Sequence, residues 1–393
     1  MQPAKKIIII GLIMLSLLTT SCWNSRELNE LAFVSAIAID QGSEPETIDL
    51  TLQIFKPAEM QSDNEQGSGS SGSKPYYNVT ATGQTVFEAI RKVSHMIDRR
   101  PYFQHLQVII FSEEIAKTGL AQYLDLLTRD VEFRRTSFVL ICKDKAKDVL
   151  DAKTELTKTP GDSFEHMIKK SANASLAVGI NLLEFGQRLM TESTAPLASY
   201  LEFNSEDKSV RLTGAAIFKE DMLCSILNEK ETRGLLWLID KIKAGISVVK
   251  CPNPDCPKPD GKVSLEIINS RTDLKPEIKN DQAQFHVKIH PRIRFGEQTC
   301  PCDLSTPDKI EDLKNYLIEE ITQEINIALK KSREVNCDIF GFGEKIWQRY
   351  PKYWCDHATK WEEEFPEIPL EIEVHTHLEE TGMSIKPMRS LKK

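Results

Sequence analysis

Four cysteines of this 393-residue chain stand in two tight pairs: Cys251 and Cys256 bracket PNPD, and Cys300 and Cys302 bracket Pro301. Thiols so placed can close two disulfides, hold one zinc ion or stay free. A spacing of four residues and then one is not a familiar zinc pattern, since structural sites usually leave about two to four residues between paired ligands. Exported chains tend to oxidise their cysteines. The remaining Cys142, Cys224, Cys337 and Cys355 read most simply as core residues. His286 and His290 share a strand face but stand about 13 Å apart, too far for a common metal ion. His375 and His377 are closer but lack a third ligand nearby, and His95 and His105 merely flank DRRPYFQ. All six read as surface or satisfied core histidines, so no metal or cofactor is expected. The chain has no Gly-rich phosphate loop, HExxH or GxSxG elbow, so no catalytic residue is expected. The GFG at 341–343 reads as a chain bend.

A different chemistry attaches to Cys22. Lys5 and Lys6 precede an apolar run from Ile7 to Leu18, followed by Thr19, Thr20, Ser21 and Cys22. This is the three-part layout of a secretory signal, and the run is short of the roughly 20 residues that a membrane span needs. A small residue before a cysteine is the end of a bacterial lipoprotein signal, in which the thiol receives a diacylglyceryl group. Thr19 stands where such signals prefer Leu. Residues 1–21 are therefore expected to be removed and Cys22 to carry the lipid. Two acyl chains give a stable hold, at about 0.8 kcal/mol per buried methylene.

Composition narrows the function classes. The chain is 40% hydrophobic and 27% charged, enough for a sizeable core and two or three domains. Its net charge of -8 moves to -10 once Lys5 and Lys6 leave with the signal. That balance argues against a nucleic-acid partner or a polybasic membrane footprint, both of which need clustered Lys and Arg.

The elements that would position these residues can be read from periodicity. LAFVSAIAID is expected as a strand buried on both sides, with Phe33, Ser35, Ile37 and Ile39 on one face and Val34, Ala36 and Ala38 on the other. IDLTLQIF follows as a second strand, and residues 61–74 as a flexible Gly/Ser loop, most simply a tolerated surface insertion. YYNVTAT, LQVIIF and TSFVLICK read as strands, interleaved with helices over TVFEAIRKVSHMI and EEIAKTGLAQYLDLLTRD. A parallel or mixed sheet covered by helices is the expected product. LTGAAIFK and MLCSIL read as strands, and ETRGLLWLIDKI as a helix with Leu235, Leu238, Ile239 and Ile242 on one stripe. The segment between the cysteine pairs is β-rich. Thr306 as N-cap and Pro307 at the first position open a long helix over 307–332, and LEIEVHTHLE is the last strand. The fold class is α+β and multidomain, with mixed sheets packed with helices. The polar stretch 202–209 divides an N-terminal region, 22–202, from a C-terminal domain, 210–385.

Four blocks carry a family resemblance: CWNSRELNELAFVSAIAID, HLQVIIFSEEIAKTGLAQYLDLLTRDVEFRRTSFVLICK, LTGAAIFKEDMLCSILNEKETRGLLWL and DIFGFGEKIWQRYPKYW. In this order they resemble the Ger(x)C lipoproteins, the C subunits of spore germinant receptors, across almost the whole mature chain. The resemblance implies a lipid-anchored, noncatalytic subunit on the outer face of the spore inner membrane. It also implies an A subunit and a permease-like B subunit as partners in nutrient sensing. Trp23, Arg26 and Glu27, close to the anchor, are candidates for partner contacts, although a Trp there also suits the lipid interface. The alternative is a lipid-anchored solute-binding protein that captures a nutrient directly; a surface hydrolase is disfavoured by the missing catalytic constellation.

Overall fold

Strand-forming residues crowd LAFVSAIAIDQ and IDLTLQIF, and both are strands in the computed structural model, which describes residues 27–56, 74–252 and 260–380. The signal segment, Cys22, Trp23, Arg26, Cys256 and nearly all of the 61–74 loop lie outside the described residues. β1 (Leu31–Gln41) pairs antiparallel with β2 (Ile48–Phe55), and β2 with β3 (Tyr76–Gly83). The short β4 (Arg100–Tyr102) runs parallel to the start of β1. On the other side of β1 come three parallel strands, β5 (Val108–Ser112), β6 (Phe138–Cys142) and β7 (Leu197–Asn204). Antiparallel β8 (Ser209–Lys219) and β9 (Met222–Leu227) complete a nine-stranded sheet in the order β3-β2-β1-β5-β6-β7-β8-β9, with β4 off this path.

Helices cover both faces, as the interleaved pattern implies. α1 (Val86–Ser94) buries Val86, Ala89, Ile90 and Val93, and Thr85 caps it by accepting a hydrogen bond from the Glu88 amide. The single helix expected over 113–130 is two: α2 (Glu113–Ala116) and α3 (Ala121–Arg129). Gly119 breaks it at φ 105°, a conformation that L side chains rarely adopt. Asp221, in the β8–β9 turn, then accepts the Ala121 amide at 2.9 Å and so starts α3. α4 (Ala146–Val149) and α5 (Pro160–Asn173) cover the opposite face, where Ala36, Ala38, Val108, Ile110 and Leu140 meet Phe164 and Ile168. α6 (Leu182–Leu189) leads into β7.

One detail of β1 departs from simple alternation. Its register with β2 shifts between Val34 and Ala36, a bulge at Ser35. The extra residue moves Val34 onto the side of Ile37 and Ile39, while Ala36 and Ala38 face the other core. Alternation read straight through Ser35 therefore places Val34 on the wrong face. The bulge has a polar partner: the Ser35 hydroxyl donates to Gln53 Oε1 at 3.0 Å, and the Gly161 amide donates to the same oxygen at 2.9 Å. Gly161 lies so close to the Ser35 backbone that a Cβ would meet it at 3.0 Å.

The stretch 202–209 is the end of β7, a four-residue turn and the first residue of β8, so the large sheet continues through it. Polar turn residues look alike in a linker and in a hairpin. After β9, α7 (Glu229–Leu238) opens with a capping box formed by Asn228 and Glu231. It ends at Leu238, short of Ile239 and Ile242, and it buries Leu236 and Trp237 as well as Leu235 and Leu238. β10 (Gly245–Lys250), the long β11 (Lys262–Lys279) and β12 (Gln282–Gln298) form an antiparallel meander. α8 (Pro307–Glu334) packs its Leu313, Leu317, Ile321, Ile325 and Ala328 inward; Thr306 precedes it in extended conformation but its side chain makes no capping bond. α9 (Phe342–Arg349), α10 (Pro351–His357) and α11 (Trp361–Glu364) lead to β13 (Leu370–Val374) and β14 (His377–Glu380), both parallel to β12. The last strand is thus two, divided at His375 and Thr376. The main apolar core runs without interruption from Ile37 through Trp237 to Leu317 and Phe342.

The crossing of α7 and α8 holds a buried polar knot. Glu324 accepts from Arg233 Nε at 3.1 Å and from Trp237 Nε1 at 2.9 Å, while Arg233 also reaches Ser247 Oγ at 2.6 Å. The helices approach so closely at Gly234 that a Cβ there would overlap the Glu324 carbonyl oxygen. Gly234→Ala should therefore destabilise the protein by about 2–3 kcal/mol, since backbone must move to admit a methyl group. At Gly186, where a Cβ would meet only Thr128 Cγ2 at 3.9 Å, the same change should be neutral or stabilise by about 0.5–1 kcal/mol. Urea denaturation of both variants reads the contrast.

Candidate functional site

Where the chain leaves α8, it turns through DIFGFG before entering α9. Asp338 is buried there, and its carboxylate accepts three backbone amides: Gly341 at 2.9 Å and Phe340 at 3.1 Å on Oδ1, Gly343 at 2.8 Å on Oδ2. Gly341 takes φ 78°, which folds these amides around the carboxylate. Gly343 admits no side chain, because a Cβ would press on the Trp354 ring and the Ser193 carbonyl. Burial raises the Asp338 pKa to about 6 against the opposing effect of these amides. GFG is therefore more than the bend expected from sequence; an Asp followed by glycines three and five residues later was the available signal.

This turn is the joint between the two halves. The Ala195 amide donates to the Asp338 carbonyl at 2.8 Å. Arg188, at the end of α6, donates through Nη1 to the carbonyls of Ala195 at 3.0 Å and Ile339 at 3.2 Å, one on each side. Burial lowers the Arg188 pKa. Outside the joint lies an open cleft of about 800 Å³ whose lining includes Arg188, Thr194, Lys219, Cys337, Trp361 and Glu362. A Lys219–Glu362 ion pair of 2.8 Å ties β8 to α11 beside it. The lining mixes both charge signs with aromatic surface, and Thr194 holds a buried hydroxyl with no hydrogen-bond partner among the described residues. Among the described residues no histidine lines the cleft, and the Asp338 oxygens already face backbone amides.

The sequence-expected chemistry is distributed elsewhere. Cys251, just after β10, and Cys300, just after β12, form a disulfide with 6.5 Å between their Cα atoms. It ties the two outer strands of the meander at one end, and Cys302 is also disulfide-bonded. The Gln298 side-chain amide holds this corner by donating to the carbonyls of Cys300 and Cys302, each at 2.7 Å. Cys142 and Cys337 are buried, as core residues should be, but Cys224 and Cys355 are exposed. Small side chains on an edge strand and a short helix carry no burial signal of their own.

The histidines do not converge: among the described residues no three His, Cys, Asp or Glu side chains are disposed to hold a metal ion. His286 lies between Glu277 and Glu371, at 2.8 Å from each, and its pKa is raised by the hydrogen bond to Glu277. His290 stacks on His375 with ring centroids 5.2 Å apart, and His105 packs edge-on against Phe33. His95 follows α1 as its C-cap, and His377 is paired in register with Arg292. Glu27, the first described residue, accepts the Glu30 amide at 3.1 Å through its carbonyl and leads into β1.

Two family models match this chain: the spore germination protein N-terminal domain over residues 24–203, and the spore germination B3/GerAC-like C-terminal domain over residues 213–382. Spore germination protein KC of Bacillus subtilis (strain 168) is 30% identical, with 98% of each chain covered. Spore germination protein B3 of the same organism is 26% identical, over 95% of this chain and 97% of that one. Among solved structures, the crystal structure of the GerBC protein superposes with a TM-score of 0.58 at 20% identity, covering 87% of this chain and 96% of that one, a likeness of fold.

The buried joint yields a pH test. Asp338 is raised from 3.8 to about 6, so its protonation favours the folded state. That contribution is complete below about pH 3.8 and is lost as pH rises through about 6. Asp338→Asn removes the titration and sets an amide NH2 against backbone donors, at a cost of about 2 kcal/mol. The stability gap between wild type and variant should widen as pH falls from neutrality toward 4, read by urea denaturation across that range. A gap that narrows would mean that the carboxylate stays ionised throughout.

Proposed function

Since the chain belongs to the spore germination family defined by the GerAC-type N- and C-terminal domains, we propose that it is the lipid-anchored, noncatalytic C subunit of a spore nutrient germinant receptor. In this reading Cys22 carries the lipid on the outer face of the spore inner membrane, and an A subunit and a permease-like B subunit are the partners. The observation that carries it is the match of both domains, in order, over nearly all of the mature length. The layout around Cys22 supports the anchor, and among the described residues no helix is long and apolar enough to cross a membrane.

The tether is short. β1 begins at Leu31, nine residues after Cys22, a span of at most about 30 Å even fully extended. The end of the large sheet where β1 and β4 start therefore rests near the bilayer. Trp23, Arg26 and Glu27 fall between lipid and fold, where they meet partner subunits or the lipid interface. The two proposed units, 22–202 and 210–385, would meet partners as one body, because a common core and the Asp338 joint connect them.

Cys22→Ala should leave the protein unlipidated and release it from membranes, and deletion of the gene should abolish the nutrient response while germination by receptor-bypassing agents persists. Mass spectrometry of the mature N-terminus checks the first. Germination assays of the deletion strain with nutrient and with a bypassing agent check the second, and co-purification of the A and B subunits with the intact protein checks the partners.

The solute-binding reading is supported by the cleft and by the Thr194 hydroxyl, which has no hydrogen-bond partner among the described residues. A nutrient held there at 100 times its Kd would add about 2.7 kcal/mol to stability. The C-subunit reading predicts no such shift for the protein alone with candidate nutrients. A saturable rise in melting temperature, removed by Thr194→Val, would replace it with direct capture.

A further inference from the structure

Two thiols meet where the edge of the large sheet touches the end of α8. Cys224 Sγ lies 3.7 Å from Cys337 Sγ, although the residues are 113 positions apart. The approach is built by two local irregularities. The β8–β9 register shifts between Ile217 and Phe218, whose partners are Ser225 and Leu223, so Cys224 is the extra residue of a bulge. On the other side, Asn336 takes a left-handed φ of 50° just after α8, and the Cys337 amide returns to the Ser332 carbonyl at 3.1 Å. The two environments differ: Cys224 is exposed and Cys337 is 3% exposed.

We propose that Cys224 and Cys337 are a dithiol–disulfide pair that exchanges with small-molecule disulfides, Cys224 serving as the entry thiol and Cys337 as the resolving thiol. Closing the bond requires the sulfurs to approach from 3.7 Å to about 2.05 Å, a rotamer adjustment between side chains that already face each other. The Cys224 pKa is lowered, first by its hydrogen bond with Cys337 and also by Lys219 and Lys331, whereas the Cys337 pKa is raised by the same bond and by burial. The exposed member is thus the better source of thiolate.

The exchange balances without a further reagent. The Cys224 thiolate attacks one sulfur of an external disulfide, forming a mixed disulfide and expelling one thiolate. Cys337 then attacks the Cys224 sulfur, forming the internal disulfide and expelling the second. The two protons lost by the cysteines go to the two released thiolates; the cysteines are oxidised by two electrons and the external disulfide is reduced to two thiols. The product ties β9 to the end of α8 next to Asp338, so the joint and one wall of the cleft become covalently linked to the sheet edge. The Cys251–Cys300 disulfide, by contrast, lies within the smaller sheet and does not join the halves.

The test treats the full-length protein, purified from membranes in detergent, with glutathione disulfide, then alkylates and maps cysteines by mass spectrometry. The expected product in wild type is a Cys224–Cys337 linked peptide, with glutathione retained on exposed Cys355 as an internal reference. Cys337→Ser should trap glutathione on Cys224, and Cys224→Ser should slow modification of Cys337 at least tenfold while Cys355 reacts as before. Glutathione that stays on Cys224 in wild type, or Cys337 that reacts as fast without Cys224, would overturn the proposal.

Discussion

The buried carboxylate of Asp338 is the interaction through which the two halves of the molecule hold their relation. A carboxylate in an apolar interior is costly unless its lone pairs are met, and here backbone amides meet them. Doing so forces the chain into a tight turn that only Gly341 can make without strain and that only a glycine at 343 can pack. The turn in turn presents the Asp338 and Ile339 carbonyls to the Ala195 amide and the Arg188 guanidinium. The cleft beside the joint and the direction of α9 follow from this geometry.

A second fixed point lies deeper, at the crossing of α7 and α8. Glu324 is desolvated, which raises its pKa, and Arg233 and Trp237 partly compensate. Such a knot contributes less to net stability than to uniqueness, since an apolar replacement of similar volume can be as stable. Its partners come from α7, α8 and the start of β10, so any sliding of α8 along α7 would strand a charge. Gly234 removes the remaining freedom by bringing backbone against backbone. The helix that carries Asp338 at its end is thereby held in register at its middle.

Much of this was legible in the sequence, and the limits have physical causes. Strong apolar periodicity identified β1, β2, β3, α1 and the long α8, and the alternation of strand and helix implied the parallel centre of the sheet. Periodicity cannot see a bulge, so it puts Val34 on the wrong face of β1, nor a left-handed glycine, so it runs α2 and α3 together. Between Asp151 and Glu202 a helix start is legible in Thr159 with Pro160, the same opening signal as Thr306 with Pro307. Thr159 caps its helix by accepting the Asp162 amide, whereas Thr306 makes no such bond. The cysteine pairs were visible as a frame, but spacing could not choose between metal and disulfide. Asp338 escaped because its importance lies in what it receives from the backbone, and that depends on tertiary burial.

The order of strands in the smaller sheet has a consequence in time. β12 is complete by residue 298, but its parallel neighbours β13 and β14 begin only at residues 370 and 377, after four helices have been laid down. A chain under synthesis therefore carries an unfilled sheet edge for some seventy residues, and filling it is a slow, non-local event. The charged outer side of β12, with Lys288, Arg292 and Arg294 each later or already matched by a glutamate, keeps that waiting edge from recruiting another chain. Completion of the smaller sheet therefore waits on residues 370–380, the last of the described strands to be synthesised.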